Sequence, residues 1–154
     1  MSIPAGSPTP PGTPAGPALL AFCSTASPTC ALAFPVYAEL GHRYGDVLPV
    51  VAVAAEPDGK VSPWLEEKGF VGPLIDEAAG RRLVDGFKID TVPTLVLVEA
   101  GRVLDVSEGW DRDGVNRWDE LLSLYTGRRS PGPVSADDDG RAASDPGTPL
   151  EAPS

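Results

Sequence analysis

Residues 18–30 have the sequence Ala-Leu-Leu-Ala-Phe-Cys-Ser-Thr-Ala-Ser-Pro-Thr-Cys, which contains the strongest structural signals in the chain. The apolar run 18–23 has no polar face, which is typical of a strand buried on both sides. Ser27 followed by Pro28 is a helix-start signal, because serine supplies an oxygen for a free helix amide and proline has no amide to leave unpaired. The stretch therefore predicts a buried strand, a short loop and a helix that begins near Pro28.

Strand and helix patterns alternate in the rest of the chain. Further strands are predicted over 47–53, 73–75, 94–98 and 103–106, and further helices over 62–68, 77–87 and 115–125. Helical crossovers imply parallel strands in the first half, and the tight turn 99–102 implies an antiparallel pair in the second. The sequence thus predicts an α/β fold, with a mixed central sheet flanked by helices on both faces. A nucleotide-binding doubly wound fold is discounted, because the loop 24–29 has no glycine to let the backbone approach a phosphate.

Proline and glycine are concentrated at the two ends of the chain. Residues 1–17 hold six Pro and three Gly, and residues 130–154 hold five Pro and three Gly. Such segments bury little apolar surface. We therefore expect a disordered Pro/Gly-rich tail over 1–17, one domain over 18–127, and a disordered acidic tail over 128–154.

Charge and composition exclude several classes of function. The net charge of −10 disfavours binding to nucleic acid or to an anionic membrane surface. The first residues lack the basic and apolar regions of a secretory signal, so we expect a cytoplasmic protein in a reducing compartment. One histidine and two cysteines do not supply the four ligands of a zinc site, so we expect no metal. Nothing in the sequence requires a cofactor.

Three features resemble the thioredoxin superfamily. Ser27-Pro28-Thr29-Cys30 lies where that family places its Cys-x-x-Cys motif, at the start of a helix, and Pro35 matches the proline inside that helix. Thr91-Val92-Pro93-Thr94 resembles the cis-proline segment that faces the active site. The segment 73–103 is similar to the TlpA-like and peroxiredoxin-like (redoxin) branch, which has an extra strand and helix in the middle. The resemblance implies a thioredoxin-like fold over 18–127.

The resemblance also implies a degenerate active site. The first cysteine of the motif is the family's nucleophile, and here it is Ser27, so a dithiol cycle between positions 27 and 30 is chemically unavailable. Cys30, in the first turn of the helix, would attack or hold a mixed disulfide, and Cys23 could resolve it. The implied function is a weak or monothiol thiol-disulfide oxidoreductase, with Cys30, Cys23 and Ser27 as its candidate catalytic residues.

The partner implied by the resemblance is a protein or peptide thiol or disulfide. Val92 and Pro93 would present backbone to an extended partner, with Pro28 and Thr29 beside them. Two alternatives stay open. One is a non-catalytic module that holds a peptide in the same groove, with the cysteines as ordinary core residues.

The other alternative is peroxiredoxin-like peroxide reduction. Ser27 precedes Cys30 by three residues, as in that family, and Arg102 or Arg112 could supply the required arginine. The electron donor and the oligomeric state are left open.

Overall fold

The computed structural model describes residues 3–56 and 59–150. The described chain contains helices α1 (Pro28–Tyr44), α2 (Val61–Glu67), α3 (Glu77–Gly86) and α4 (Arg112–Thr126). Its strands are β1 (Ala18–Phe22), β2 (Val50–Val53), β3 (Leu74–Ile75), β4 (Thr91–Val92), β5 (Thr94–Glu99), β6 (Arg102–Glu108), β7 (Trp110–Asp111), β8 (Ser144–Asp145) and β9 (Thr148–Pro149).

The central sheet has five strands in the order β3-β2-β1-β5-β6. β1 runs parallel to β2, and β2 runs parallel to β3. β5 is antiparallel to both β1 and β6. Two small antiparallel pairs, β4-β9 and β7-β8, lie outside this sheet. The mixed topology predicted from the helical crossovers and the tight turn is confirmed.

The core is built around β1, which lies at the centre of the sheet. All five of its residues are buried. Because successive side chains of a strand point to opposite faces, elements must cover both faces of the sheet. The ring of Phe87, directly after α3, packs edge-on against Phe22 of β1 with 5.6 Å between centroids. Phe34 of α1 packs against Trp64 of α2 and against Phe70.

Helix α1 begins where the sequence predicts. The Ser27 side chain accepts a hydrogen bond from the Cys30 amide, and Pro28 takes the first helical position. Pro35 lies inside the helix, where its missing amide leaves one backbone carbonyl without its usual partner. The helix ends at Tyr44, before Gly45. This placement directs the first turn of α1, with Cys30, towards the end of the sheet where β1 ends.

The N-terminal segment pairs with the outer edge of the sheet. The Gly6 amide donates to the Val103 carbonyl at 2.7 Å, and the Val103 amide donates to the Ser7 carbonyl at 2.9 Å. The Thr9 amide donates to the Gly101 carbonyl at 3.0 Å. These bonds cover the start of β6, which would otherwise be an open strand edge.

Residues 128–150, called the strap below, fold back along α1 and α4. One attachment is a buried charge cluster in which Asp119, 2% exposed, accepts hydrogen bonds from Arg43 at 2.9 Å and from the Tyr44 hydroxyl at 2.7 Å. Arg43 also donates to the Gly132 carbonyl of the strap at 2.7 Å, and the Ser130 hydroxyl donates to Asp119. Charged and polar groups therefore hold the first part of the strap.

A second attachment lies further along the strap. Arg112 donates to the Asp139 carboxylate at 2.9 Å and to the Arg141 carbonyl at 2.8 Å. The Ser135 hydroxyl, the Arg141 amide and the Arg112 guanidinium all stabilise the charged form of Asp139, which lowers its pKa. Asn116 of α4 accepts hydrogen bonds from the amides of Val134 and Ser135.

The structure attaches parts of both ends that were predicted to be disordered, and disorder of these segments stays a prediction. The composition indicates that neither segment buries much apolar surface, whereas the structure attaches both through backbone pairing, caps and ion pairs. A count of apolar residues does not detect such bonds. Residues 1–2 and 151–154 of the predicted tails lie outside the described residues. Among the described helices, none is both long and apolar enough to cross a bilayer.

Asp119→Ala should lower the free energy of unfolding by about 3 kcal/mol, because it leaves the buried Tyr44 hydroxyl without its acceptor and removes the buried carboxylate that pairs with Arg43. Urea unfolding followed by tryptophan fluorescence measures the change. Glu39→Ala is the matched control, since Glu39 pairs with the same Arg43 from a side chain that is 45% exposed. The control should change stability by less than about 1 kcal/mol. Equal losses in the two variants would contradict a stabilising role for the buried cluster.

Candidate functional site

Ser27 and Cys30 lie at the start of α1, where the loop after β1 meets the helix. Ser27 is 2% exposed and Cys30 is fully buried. The Ser27 Oγ atom accepts the Cys30 amide at 3.1 Å, which satisfies one of the free amides of the first turn. Ser27 therefore acts as the N-cap of the helix.

Both cysteines are buried free thiols. Cys23 is 3% exposed and directly follows β1, where its amide donates to the Val53 carbonyl at 2.9 Å. Cys30 has no exposed surface at all. The first turn of a helix favours the thiolate of a cysteine only where the thiol is exposed, and Cys30 is not exposed in this structure. The physical reason is that Cys30 is part of the hydrophobic core, whereas Ser27 lies at the outer end of the helix and bonds Thr148 of the strap.

Burial controls the acidity of both thiols. Desolvation raises the pKa of Cys30 to about 11, although the Ser27 hydroxyl and the Ser24 backbone act in the opposite direction. Desolvation also raises the pKa of Cys23, and the negative charges of Cys30 and Glu56 add to that shift. Since the thiolate is the reactive form, neither cysteine is an activated nucleophile in this arrangement.

Glu56 is a site residue that the sequence analysis missed. Its carboxylate accepts the Thr25 amide at 2.6 Å and the Thr25 hydroxyl at 2.5 Å, and so fixes the loop between β1 and α1. Its charge also disfavours the thiolate of Cys23 and of Cys30. Glu56 could have been found, because it closely follows the parallel strand β2 and the carboxyl ends of parallel strands meet at one edge of a sheet.

The segment that contains Pro93 forms the other wall of the site. The Val92–Pro93 peptide bond is cis. Val92 is 1% exposed, and the Pro93 carbonyl accepts the Gly109 amide at 2.8 Å. The Thr94 hydroxyl donates to the Thr91 carbonyl at 2.6 Å, which fixes the backbone on both sides of the proline.

The end of the strap lies in the groove between these two walls. β9 pairs antiparallel with β4, with Pro149 opposite Thr91 and Thr148 opposite Val92. The Leu150 amide extends the pairing by donating to the Asp90 carbonyl at 2.9 Å. The strap thus adds an extended strand beside Pro93, which is the backbone pairing that the resemblance predicts for a bound partner.

Hydroxyl groups connect this strand to the helix start. The Ser27 hydroxyl donates to Thr148 Oγ1 at 2.7 Å, and the hydroxyls of Thr148 and Thr29 are 3.5 Å apart. Thr29 in turn donates to the Asp145 carboxylate at 3.0 Å. The bonds form a chain that ends on a carboxylate, an arrangement in which each bond polarises the next.

The structure brings most of the predicted site residues together. Ser27 and Thr29 contact the strap through their hydroxyls, Val92 pairs with it through β4, and Cys30 lies beneath the same helix start. Pro28 is exposed and serves as the first residue of α1. The strap residues Asp145 and Thr148 were missed, because they are more than a hundred residues away in sequence, in a segment predicted to be a disordered acidic tail.

The arginines considered for peroxide chemistry have other partners. Arg112 binds Asp139 and the Arg141 carbonyl, and Arg102 donates to the Gly6 carbonyl at 3.4 Å beside the β5–β6 turn. In the described part of the chain, no group of three or more His, Cys, Asp or Glu side chains is arranged to hold a metal ion.

Comparison with known proteins supports the fold. No protein-family model matches the sequence, and no curated protein matches it significantly. Among solved structures, a candidate thiol:disulfide interchange protein DsbE from Chlorobium tepidum is similar with a TM-score of 0.65 and 18% identity, over 81% of this chain and 99% of the other. A thioredoxin-like protein in its oxidised form is similar with a TM-score of 0.63 and 20% identity, over 77% of this chain and 97% of the other. The chain has a thioredoxin-like fold.

Peroxidoxin BcpB from Mycobacterium tuberculosis has the same architecture, with a TM-score of 0.60 and 19% identity over 82% of this chain and 98% of that one. The predicted thioredoxin-like fold is therefore confirmed. Placement in the TlpA-like branch, the cytoplasmic location and the roles of the site residues stay predictions.

In a Cys23→Ala background, Cys30 should react with iodoacetamide at pH 7.5 at least about a hundredfold more slowly than free cysteine, because burial raises its pKa and excludes the reagent. Thr148→Val should raise the rate about tenfold, since it removes the hydroxyl bonds that hold the strap over Ser27. Mass spectrometry of the labelled protein measures both rates.

Thr126→Val is the matched control for this experiment. The Thr126 hydroxyl bonds the Leu122 carbonyl within α4, away from the site, so its loss should leave the labelling rate unchanged. If Cys30 in the Cys23→Ala chain, with Thr148 unchanged, reacted as fast as free cysteine, Cys30 would not be covered.

Proposed function

We propose that this chain is a peptide-binding module with a thioredoxin-like fold, in which the groove beside Pro93 holds an extended protein segment without a dithiol cycle. The observation that carries the proposal is the antiparallel pairing of β9 with β4. Strand addition of this kind supplies affinity through backbone hydrogen bonds, and side-chain pockets supply selectivity.

The chemistry of the helix start supports binding over catalysis. Ser27 occupies the place that the thioredoxin resemblance gives to the nucleophilic cysteine. Its hydroxyl donates to Thr148 and its oxygen caps α1. No histidine or other base contacts it among the described hydrogen bonds, so nothing activates the hydroxyl as a nucleophile. The geometry assigns Ser27 to holding a strand and a helix end.

Thiol-disulfide exchange through Cys30 is the second candidate function. The observation in its favour is that both cysteines are free thiols at the end of the sheet where β1 meets α1, and the charge of a Cys30 thiolate contributes to the raised pKa of Cys23. The DsbE candidate among the similar structures is named for such exchange. In this scheme the Cys30 thiolate attacks a partner disulfide and releases one partner thiolate. Cys23 then displaces the second, which leaves an intramolecular disulfide here and a dithiol on the partner.

An insulin-reduction assay with dithiothreitol as the reductant separates the two functions. We expect the unaltered chain and the Cys30→Ser variant to give the same rate as dithiothreitol alone. Ser27→Cys combined with Thr148→Val, which releases the strap from the helix start, should raise the rate at least about tenfold, because it restores a Cys-x-x-Cys pair at a helix N-terminus, where an exposed thiolate is favoured.

Turnover by the unaltered chain that disappears in Cys30→Ser would instead establish the second candidate. Adding Thr148→Val to the unaltered chain controls for the strap. If the strap only hides an active Cys30, Thr148→Val with Ser27 retained should reduce insulin faster than dithiothreitol alone. This outcome too would overturn the binding-module proposal.

A further inference from the structure

The strap fills the groove with a particular sequence, Asp-Pro-Gly-Thr-Pro, at residues 145–149. This inference rests on the proposed peptide-binding function and concerns which peptides the groove accepts. Two positions of the strap, Gly147 and Thr148, contact the groove in ways that depend on the residue type, and proline suits the positions before and after them.

The first restricted position is Gly147. A Cβ atom at this residue would lie 2.7 Å from Thr91 Cγ2 and 2.9 Å from the Val92 carbonyl oxygen, closer than carbon atoms normally approach. The residue also has a φ of +98°, a conformation that disfavours side chains. A side chain at this position would strain the backbone and force its neighbours to shift, so the groove strongly favours glycine here.

The second restricted position is Thr148. Its hydroxyl accepts the Ser27 hydroxyl at 2.7 Å and lies 3.5 Å from the Thr29 hydroxyl. Ser27 is buried, so a ligand without a hydroxyl here would leave its polar group without this partner. The groove thus selects a hydroxyl residue directly after the glycine.

Proline suits the positions on either side. Pro146 precedes the glycine in a turn, a place where the fixed φ of proline is favourable. The Asp145 carboxylate stabilises this turn by accepting the Gly147 amide at 2.9 Å and the Thr29 hydroxyl at 3.0 Å. Pro149 lies opposite Thr91 in a two-residue strand, where a missing amide is tolerated because the strand has a free outer edge.

The four-residue sequence Pro-Gly-Thr-Pro occurs a second time, at residues 11–14. Gly12 has a φ of +91°, close to that of Gly147, and the Thr13 amide donates to the Pro10 carbonyl at 3.3 Å. This second copy therefore already forms a Pro-Gly turn. It lies near Leu83 of α3 and not in the groove.

We propose that the groove beside Pro93 selects Pro-Gly-Thr-Pro segments, that residues 146–149 fill it as a built-in ligand, and that a protein segment with the same sequence binds by displacing them. Residues 11–14 of a second copy of this chain have the required sequence. Because the strap is covalently linked, it competes at a high effective concentration, and it therefore keeps the groove closed to weaker ligands.

Fluorescence anisotropy with a labelled peptide of residues 143–150 tests this proposal on the full chain. Gly147→Val should open the groove, because valine does not fit beside Thr91, so this variant should bind the peptide at least about tenfold more tightly than the unaltered chain does. Peptides with valine in place of Gly147 or of Thr148 should bind the opened chain at least about tenfold more weakly. A peptide of residues 8–15 should bind it, and a scrambled peptide should not.

The outcomes separate this inference from the proposed function. Binding of the scrambled peptide as tightly as the 143–150 peptide would overturn the inference and leave a peptide-binding groove. Binding of no peptide by the opened chain would overturn both. Equal binding by the opened and the unaltered chain would show that residues 146–149 are not a competing ligand.

Thr148→Val is the second opened variant, since it removes the hydroxyl without adding bulk at Gly147. It provides the same comparison if near-ultraviolet circular dichroism shows that Gly147→Val does not fold. Peptide binding to this variant should also shift the amide resonance of Val92, which places the ligand on β4. A shift confined to residues away from β4 would overturn the proposal.

Discussion

The hydrogen bond from the Ser27 hydroxyl to Thr148 joins the start of α1 to the end of the strap, 121 residues later. The docking of the strap in the groove of this thioredoxin-like chain depends on this bond and on the β4–β9 pairing beside it. Together they place an extended segment beside Pro93 and against Ser27 at the start of α1. The two polar attachments of the strap, at Asp119 and at Arg112, restrict where that segment reaches and so reduce the conformational entropy lost when it docks.

Serine at position 27, where the thioredoxin resemblance expects the nucleophilic cysteine, explains how the groove could bind a strand without redox chemistry. A cysteine at an exposed helix N-terminus is favoured as the reactive thiolate, whereas Ser27 is buried and acts as a cap and hydrogen-bond donor. The remaining thiols are buried, and burial raises the pKa of Cys30 to about 11. The same groove that would present a partner disulfide to a nucleophile is then left with hydroxyls and backbone groups, which are suited to holding a strand.

The elements of the domain could be predicted because their signals are local. The apolar run of β1, the Ser27-Pro28 cap and the β5–β6 turn each act over a few residues. The strap could not be predicted in this way, because its bonds to Arg43, Asn116 and Thr29 depend on polar groups that meet only in the folded chain. Glu56 lies between these cases, since the topology of parallel strands already places it near the site.

The most direct test of the central claim is a disulfide between positions 27 and 148. In a Cys23→Ser, Cys30→Ser background, Ser27→Cys combined with Thr148→Cys should form an intramolecular disulfide completely on mild oxidation, because the two side-chain oxygens lie 2.7 Å apart. Ala142→Cys, which is exposed earlier in the strap, should not form one with the same partner. Mass spectrometry of the monomer measures both disulfides. Equal formation of the 27–148 and 27–142 disulfides, or a cysteine at position 148 that stays reduced, would contradict the account.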